Sequence, residues 1–272
     1  MQVIDGIPVW GNPLDNAVEQ MRTAAAHDDV VGAALMADHH LGYSVPVGGV
    51  IAYGEHVSPS GVGFDIACGN KAVRVDTDAD YVRENIGTIM DAVWDRLSFG
   101  IGRKNDTPID HPLFDDDPAW GIPEAASHKD LAYSQLGTIG SGNHYVDIFE
   151  DEQGRIWIGV HFGSRGLGHK LASHFVKAAG GKDGMHVEPA TLHQDSDLGQ
   201  RYIACMRLAG RYAYAGRDWV CAEVAGILGG EILDEVHNHH NFAWLESHDG
   251  QDMWVVRKGA TPAFPGQRGF VG

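Results

Sequence analysis

The chain has few cysteines and no long apolar run. Its 272 residues include three cysteines, which form neither an even set nor a CxxC pair. That count excludes the disulfide framework of a small secreted domain, so we expect free thiols in the reducing cytoplasm. No stretch approaches the roughly 20 apolar residues that span a bilayer, and we expect no membrane partner. The start, Met1 to Trp10, lacks the basic and apolar regions of a signal peptide.

Positive charge is also scarce. The 20 Lys and Arg residues stand against 37 Asp and Glu residues, which gives a formal net charge of −17. A general basic surface that coats nucleic acid is therefore excluded, and any RNA contact must be local. Two residue types are abundant instead, with 16 histidines and 36 glycines. Glycine-rich turns beside histidines favour sites that are built from loops.

Apolar periodicity predicts helices and strands without regular βαβ alternation. Helical spacing marks three segments, which are Asn16 to Ala25, Tyr81 to Leu97 and about Leu198 to Leu228. The second carries one apolar stripe, including Ile86 and Met90, that is predicted to face the core. Short β-branched runs predict strands at Lys71 to Val75, Ile156 to Val160 and Met253 to Val256. The prolines between Gly102 and Ser127 predict a surface loop. We expect an α+β fold with mixed sheets and packed helices, as a single domain over residues 1–272.

The first candidate ligands are Asp65 and Cys68, which lie three residues apart among glycines just before a predicted strand. Metal binding lowers the pKa of a thiol, and a nearby carboxylate adds a hard oxygen, so this pair can hold a divalent transition metal. The same pattern also fits a buried cysteine beside a turn-forming aspartate. Cys205 and Cys221 fall on the third predicted helix and are expected to be small buried apolar groups.

Two glycine-rich turns supply further candidates. Asn143 and His144 follow Gly-Ser-Gly at the entry of a strand-like stretch, and His161 ends an apolar run that leads into a loop with Arg165. Successive backbone N–H groups of that loop can hold an anion, and a guanidinium can grip a phosphate through two parallel hydrogen bonds. When each motif is taken alone, an ordinary tight turn is the favoured interpretation.

Three histidines, at positions 237, 239 and 240, lie within one short segment. Their spacing does not tell which one points inward, and surface histidines are an open alternative. Together with Asp65, Cys68, His144 and His161, these imidazoles can ligate two ions. Two metals about 4 Å apart are a frequent arrangement for stabilising a transferring phosphoryl group.

Read in chain order with three other segments, these motifs resemble the RtcB family of RNA ligases. The other segments are Asp38 to Tyr43 (DHHLGY), Pro46 to Val50 (PVGGV) and Arg257 to Pro265 (RKGATPAFP). The resemblance covers nearly all of the chain from about Val31. It implies a GTP- and manganese-dependent enzyme of RNA repair or tRNA splicing, which joins RNA 3′-phosphate or 2′,3′-cyclic phosphate ends to 5′-hydroxyl ends.

The resemblance also implies which residues form the site. Cys68 would bridge two Mn²⁺ ions, His161 and His240 would complete one metal site, and Asp65 and His144 would complete the other. The residues expected to contact GTP are Asn143, Arg165, His240 and Asn241. The family continues past the position of Gly272, into a segment that carries the guanylylated histidine. We therefore expect a carboxyl-terminally incomplete catalytic domain and name no catalytic residue.

Several alternatives stay open at this point. The chain is expected to be a fragment of a longer ligase, but a partial protein completed by another chain and a metal-binding relic without activity fit the same residues. A metal-dependent phosphoesterase would use the same ligands with water as its nucleophile. A non-catalytic protein with structural zinc is also compatible, because cysteine and histidine suit that ion.

Overall fold

The computed structural model describes residues 1–182 and 184–270, so the chain end at Val271 and Gly272 lies outside the described residues. Helices and strands are mixed along the chain, which confirms the predicted α+β class. The strands are β1 (Gln2–Ile4), β2 (Ile7–Val9), β3 (Val30–His40), β4 (Val47–Tyr53), β5 (His56–Val57), β6 (Gly69–Val75), β7 (Tyr145–Glu150), β8 (Ile156–His161), β9 (Leu192–His193), β10 (Ile232–His239), β11 (Asn241–His248) and β12 (Gln251–Lys258). The helices are α1 (Asp15–Ala24), α2 (Pro59–Val62), α3 (Ala79–Arg96), α4 (Leu113–Asp116), α5 (Pro123–Ala126), α6 (Lys129–Gln135), α7 (Arg165–Ala178) and α8 (Asp197–Leu228), with a 3₁₀ turn at Pro118–Gly121.

One compact unit comprises residues 1–67, 168–207 and 240–262. Its six-stranded sheet has the order β1-β2-β3-β4-β12-β11, in which β2 and β3 are parallel and the other neighbours antiparallel. Asp249 and Gly250, with φ of 52° and 80°, close the hairpin of β11 and β12. An Asp-Gly pair with positive φ at both residues matches the right-handed twist of the joined strands. The strand predicted at Met253 to Val256 is confirmed as part of β12.

The other unit comprises residues 68–167, 208–239 and the described residues from 263. Its four-stranded antiparallel sheet has the order β10-β6-β8-β7. The predicted strands at Lys71 to Val75 and Ile156 to Val160 are confirmed as β6 and β8. Apolar side chains from these strands, from α3 and from the last turns of α8 form its core, which includes Val73, Val82, Ile89, Val93, Ile158, Val160, Val220 and Val224.

Helix α3 buries a narrower stripe than the sequence predicted. Asp78 caps its first turn by accepting a hydrogen bond from the Tyr81 N–H at 2.8 Å. Val82, Ile89 and Val93 lie in the core, whereas Ile86 and Met90 are 42% and 39% exposed. At 3.6 residues per turn, Ile86 and Met90 lie about 40° and 80° around the helix from Val82. They fall outside the face that contacts the core, so this part of the prediction was wrong.

The loop predicted from Gly102 to Ser127 was wrong in part. This segment contains α4, α5 and the 3₁₀ turn. Pro118 begins the 3₁₀ turn and Pro123 begins α5, because proline fits the first helical position. Phe114 and Trp120 are buried and stack with ring centroids 5.7 Å apart. Asp117 pairs with Arg211 at 2.5 Å. The segment from Gly102 to Ser127 is thus held in place by aromatic packing and by an ion pair.

Helix α8 carries a fully buried arginine that the sequence reading did not single out. Arg217 is 0% exposed, and its Nη1 donates to the carbonyl oxygen of Phe162 at 2.5 Å. Its Nε donates to Nε2 of His237 at 2.8 Å, and its Nη2 lies 3.0 Å from Nδ1 of His239. A buried charge is tolerated when its donors are satisfied in this way. Arg217 therefore ties α8 to the residue after β8 and to β10.

The environment of His237 also shifts its pKa. Burial lowers the pKa to about 4, although the hydrogen bond with Asp218 opposes that effect. The neighbouring Cys221, buried as predicted, has a pKa that burial raises to about 12. A thiol with such a pKa stays protonated at neutral pH, so Cys221 behaves as an apolar group rather than as a thiolate.

Acid should destabilise the fold through His237. An unfolded histidine titrates near its ordinary value of 6.5, whereas His237 in the fold resists protonation until pH falls to about 4. Its contribution to stability is complete above pH 6.5 and is lost as pH falls towards 4. We expect a loss of about 2 kcal/mol between pH 7 and pH 5, measured by urea unfolding. His237→Asn should remove this part of the pH dependence, whereas His186→Asn, at an exposed site, should keep it. Equal pH dependence in both variants would contradict the assignment.

Candidate metal centre

The four-stranded sheet brings Cys68 next to His161. Cys68 directly precedes β6, His161 ends β8, and both are buried. Sγ of Cys68 lies 3.3 Å from Nε2 of His161. Glycine is required between Cys68 and the rest of β6, because a Cβ on Gly69 would lie 2.2 Å from the carbonyl oxygen of Asn238 in β10. The close approach of β10 to β6 thus depends on the absence of a side chain at Gly69.

His144 faces the same sulfur from the turn before β7. Its Nε2 lies 3.7 Å from Sγ of Cys68. Its Nδ1 is 3.0 Å from the carbonyl oxygen of Ile139 and 3.1 Å from Nη1 of Arg165. The two contacts need opposite proton positions, since the carbonyl oxygen accepts and the guanidinium donates. A metal on Nε2 is compatible with the contact to Ile139, in which Nδ1–H of His144 donates to the carbonyl oxygen.

The two glycine-rich turns meet through Arg165. This residue begins α7 with a positive φ of 54°, and its guanidinium occupies the space beside Gly140. A Cβ at Gly140 would lie 1.9 Å from Nη2 of Arg165, so a side chain there would displace the guanidinium. The exposed Asn143 donates from Nδ2 towards Nε2 of His161 at 3.4 Å. Arg165 and Asn143, both expected to contact nucleotide, thus stand next to candidate ligands.

Asn241 organises the turn that contains Asp65. Its backbone carbonyl accepts from the Ala67 N–H at 2.7 Å, and its Nδ2 donates to the Asp65 carbonyl at 3.4 Å. Its Oδ1 accepts from the Gly259 N–H at 2.8 Å. His240 stands just before β11, and its carbonyl accepts from the Ala260 N–H at 3.1 Å. The amide of Asn241, expected to contact nucleotide, therefore has structural partners.

Two overlapping sets of side chains place their ligand atoms within 4.8 Å of one another. They are Cys68, His161 and His240, and Asp65, Cys68 and His144. Cys68 belongs to both sets. Thiolate, imidazole and carboxylate together suit a divalent transition ion, because soft and hard donors are combined. These two sets contain the five side chains expected from the sequence to bind metal, and their role as ligands stays a prediction.

The three histidines at positions 237, 239 and 240 have different surroundings. His237 and His239 contact the buried Arg217 and pack against the Tyr214 ring, with centroid distances of 4.1 Å and 4.0 Å. His240 belongs to a candidate ligand set. The sequence reading missed Arg217 and also Asn70, whose Oδ1 lies 2.5 Å from Nδ1 of His161. Asn70 directly follows Cys68-Gly69 and directly precedes the predicted strand at Lys71, and this position was the available signal for it.

A family model described as tRNA-splicing ligase RtcB matches residues 20–127 and 119–271. The chain belongs to the RtcB family. This result confirms the resemblance found in the sequence. The matched ranges contain every candidate ligand of this chain, from Asp65 to His240. Within the described part of the chain, no helix has both the length and the apolarity that a membrane span needs.

Named relatives agree with the RtcB assignment. The chain is 30% identical to the tRNA-splicing ligase RtcB of Thermococcus kodakarensis, over 92% of this chain and 66% of that protein. It is 32% identical to the tRNA-splicing ligase RtcB of Archaeoglobus fulgidus, over 92% of this chain and 65% of the relative. It is 29% identical to the RNA-splicing ligase RtcB of Escherichia coli, over 88% of this chain and 66% of that protein. The chain thus spans slightly less than two thirds of these relatives.

The shared sulfur predicts that one substitution affects all metal binding. Cys68→Ala removes the atom common to both sets of ligands, so we expect loss of both bound ions, measured by elemental analysis after anaerobic dialysis against manganese. Cys205→Ala is the matched control, because this thiol is also buried and belongs to neither set. It should leave the metal content unchanged. Equal losses in the two variants would contradict the bridging role of Cys68.

Proposed function

We propose that this chain carries the metal centre of an RNA ligase that joins RNA 3′-phosphate or 2′,3′-cyclic phosphate ends to 5′-hydroxyl ends. The convergence of Cys68, His144 and His161 carries the proposal, since Sγ of Cys68 lies 3.3 Å and 3.7 Å from the two imidazole nitrogens. Family membership supports the reaction class, because the relatives are named RNA- or tRNA-splicing ligases. The substrates and the activity are inferences for this chain.

Two manganese ions and GTP are the proposed cofactors. Asp65, Cys68, His144, His161 and His240 would hold the ions, and their mixed donors fit such a centre. Bound ions would neutralise the negative charge that develops on a transferring phosphoryl group. We place these residues in one catalytic domain over residues 1–272 and assign the protein to the cytoplasm, where its three cysteine thiols would stay reduced.

The nucleotide and the RNA phosphate would be held by residues beside the ligands. Arg165 lies 3.1 Å from Nδ1 of His144, close enough for its guanidinium to meet a phosphate held near that ligand. The exposed amide of Asn143 stands next to His161, while His240 and Asn241 would complete the GTP contacts. A net charge of −17 leaves little general attraction for RNA, so these local groups would have to capture the phosphate.

Manganese should control the binding of guanine nucleotide. We expect the chain to bind GTP in equilibrium dialysis when Mn²⁺ is present and to lose most of that binding when Mn²⁺ is omitted. Arg165→Gln should weaken GTP binding by about tenfold, since a charge-assisted contact to phosphate is worth about 1.5 kcal/mol. Arg155→Gln, whose ion pair with Asp151 lies elsewhere on the surface, is the matched control. GTP binding of the same affinity without Mn²⁺ and in Arg165→Gln would contradict the proposed cofactor site.

The same protein should then be incubated with RNA that ends in a 2′,3′-cyclic phosphate and RNA that begins with a 5′-hydroxyl. Joined RNA that requires both Mn²⁺ and GTP supports the ligase. Opening of the cyclic phosphate with Mn²⁺ alone, without joining, identifies a metal-dependent phosphoesterase instead. Metal uptake without nucleotide binding or phosphate chemistry identifies a non-catalytic metal-binding protein.

A further inference from the structure

A row of four polar side chains, three of them buried, crosses the four-stranded sheet next to Cys68. Asn238 of β10 pairs with Asn70 of β6, which pairs with His161 of β8, which pairs with Tyr145 of β7. Directly opposed residues project from the same face of a sheet, so these four side chains are neighbours. Asn70 is only 1% exposed. A buried amide in this position must find partners for both of its ends.

The partners of Asn70 determine which way its amide faces. Nδ2 donates to the carbonyl oxygen of Phe270 at 3.1 Å, and Oδ1 lies 2.5 Å from Nδ1 of His161. A peptide carbonyl only accepts hydrogen bonds, so the NH₂ group must face Phe270 and the oxygen must face His161. An amide oxygen also only accepts, so Nδ1 of His161 must carry the proton. Nε2 then keeps its lone pair.

The contacts on the other side of the His161 ring are compatible with the same proton position. Nε2 lies 3.4 Å from the Nδ2 donor of Asn143 and 3.3 Å from Sγ of Cys68, and both contacts suit a bare nitrogen. The ring also stacks on Tyr145, with centroids 5.4 Å apart and planes at 20°, which limits its rotation. The contacts on both edges of the ring therefore agree on one tautomer.

Phe270 is itself fixed by the second asparagine of the row. Its N–H donates to Oδ1 of Asn238 at 2.9 Å. Its ring stacks on Phe149, with centroids 6.1 Å apart and planes at 7°. Two cross-strand asparagines thus hold the N–H and the carbonyl of one backbone residue. The carbonyl of Phe270 is anchored where it can orient the Asn70 amide.

We propose that Asn70 is a positioning residue of the metal centre, which holds His161 as the Nδ1–H tautomer with Nε2 ready to bind an ion, and that the Phe270 carbonyl orients Asn70. This inference rests on the proposed metal site at Cys68 and His161. Histidine ligands generally donate their second N–H to an acceptor that fixes their tautomer and orientation, and removal of that acceptor weakens metal binding.

Selectively ¹⁵N-labelled histidine allows the tautomer to be tested by NMR without any metal. In the parent chain, His161 should be protonated at Nδ1. Asn70→Leu removes the acceptor, so the His161 signals should shift towards the Nε2–H tautomer. Asn70→Asp keeps an acceptor oxygen and should preserve the parental tautomer. Asn85→Leu, on the exposed face of α3, is the matched control and should change nothing. Thermal unfolding of each variant verifies that it is folded.

Metal affinity provides the second measurement. With Co²⁺ as the probe and a competing chelator, Asn70→Leu should bind about 10- to 100-fold more weakly and lose intensity in the thiolate charge-transfer band. Asn70→Asp should recover most of that affinity. An Asn70→Leu variant with parental tautomer and parental affinity would overturn the inference. A parent chain that binds no Co²⁺ or Mn²⁺ would overturn the metal site instead, and the NMR result would still decide the role of Asn70.

Discussion

The hydrogen bonds of the buried Arg217 guanidinium connect the segments that carry two candidate ligands. Phe162, whose carbonyl accepts from Nη1, directly follows His161, and His239, which contacts Nη2, directly precedes His240. A buried cation costs several kcal/mol unless its donors are satisfied, so these partners cannot move away without a large penalty. The same bonds that make the charge tolerable therefore fix the backbone beside His161 and His240.

A second set of hydrogen bonds bears on the proton positions of two candidate ligands. Ile139 and Asn70 offer acceptors near Nδ1 of His144 and Nδ1 of His161, at 3.0 Å and 2.5 Å. Both acceptors favour a proton on Nδ1, which leaves Nε2 of each ring towards Cys68. One acceptor is a backbone carbonyl and the other a side chain. Only the second can be removed by substitution, so Asn70 is the informative position.

The sequence indicated most of the elements and the candidate ligands, but not the residues that support them. Asp65, Cys68, His144 and His161 lie in short motifs whose glycines and strand ends are visible along the chain, and α8 was expected despite Gly210 and Gly216. Arg217 and Asn70 act through partners 20 to 200 residues away, which no local pattern encodes. The exposed edge of α3 and the helices inside the predicted loop were missed for a similar reason. Tertiary packing decides how wide a buried stripe is and whether a proline begins a turn or a helix.

Burial alone does not make a cysteine of this chain a metal ligand. Cys68 and Cys221 are both buried, yet Cys221 lies on α8 among apolar side chains, where burial raises the pKa of its thiol to about 12. Cys68 instead has imidazole nitrogens 3.3 Å and 3.7 Å from its sulfur. An ion held by those nitrogens would favour the thiolate, because a coordinating thiol loses its proton. The proposed ions would thus offset the cost of burying a negative sulfur at Cys68, whereas Cys221, whose thiol stays protonated, belongs to the apolar core of its unit.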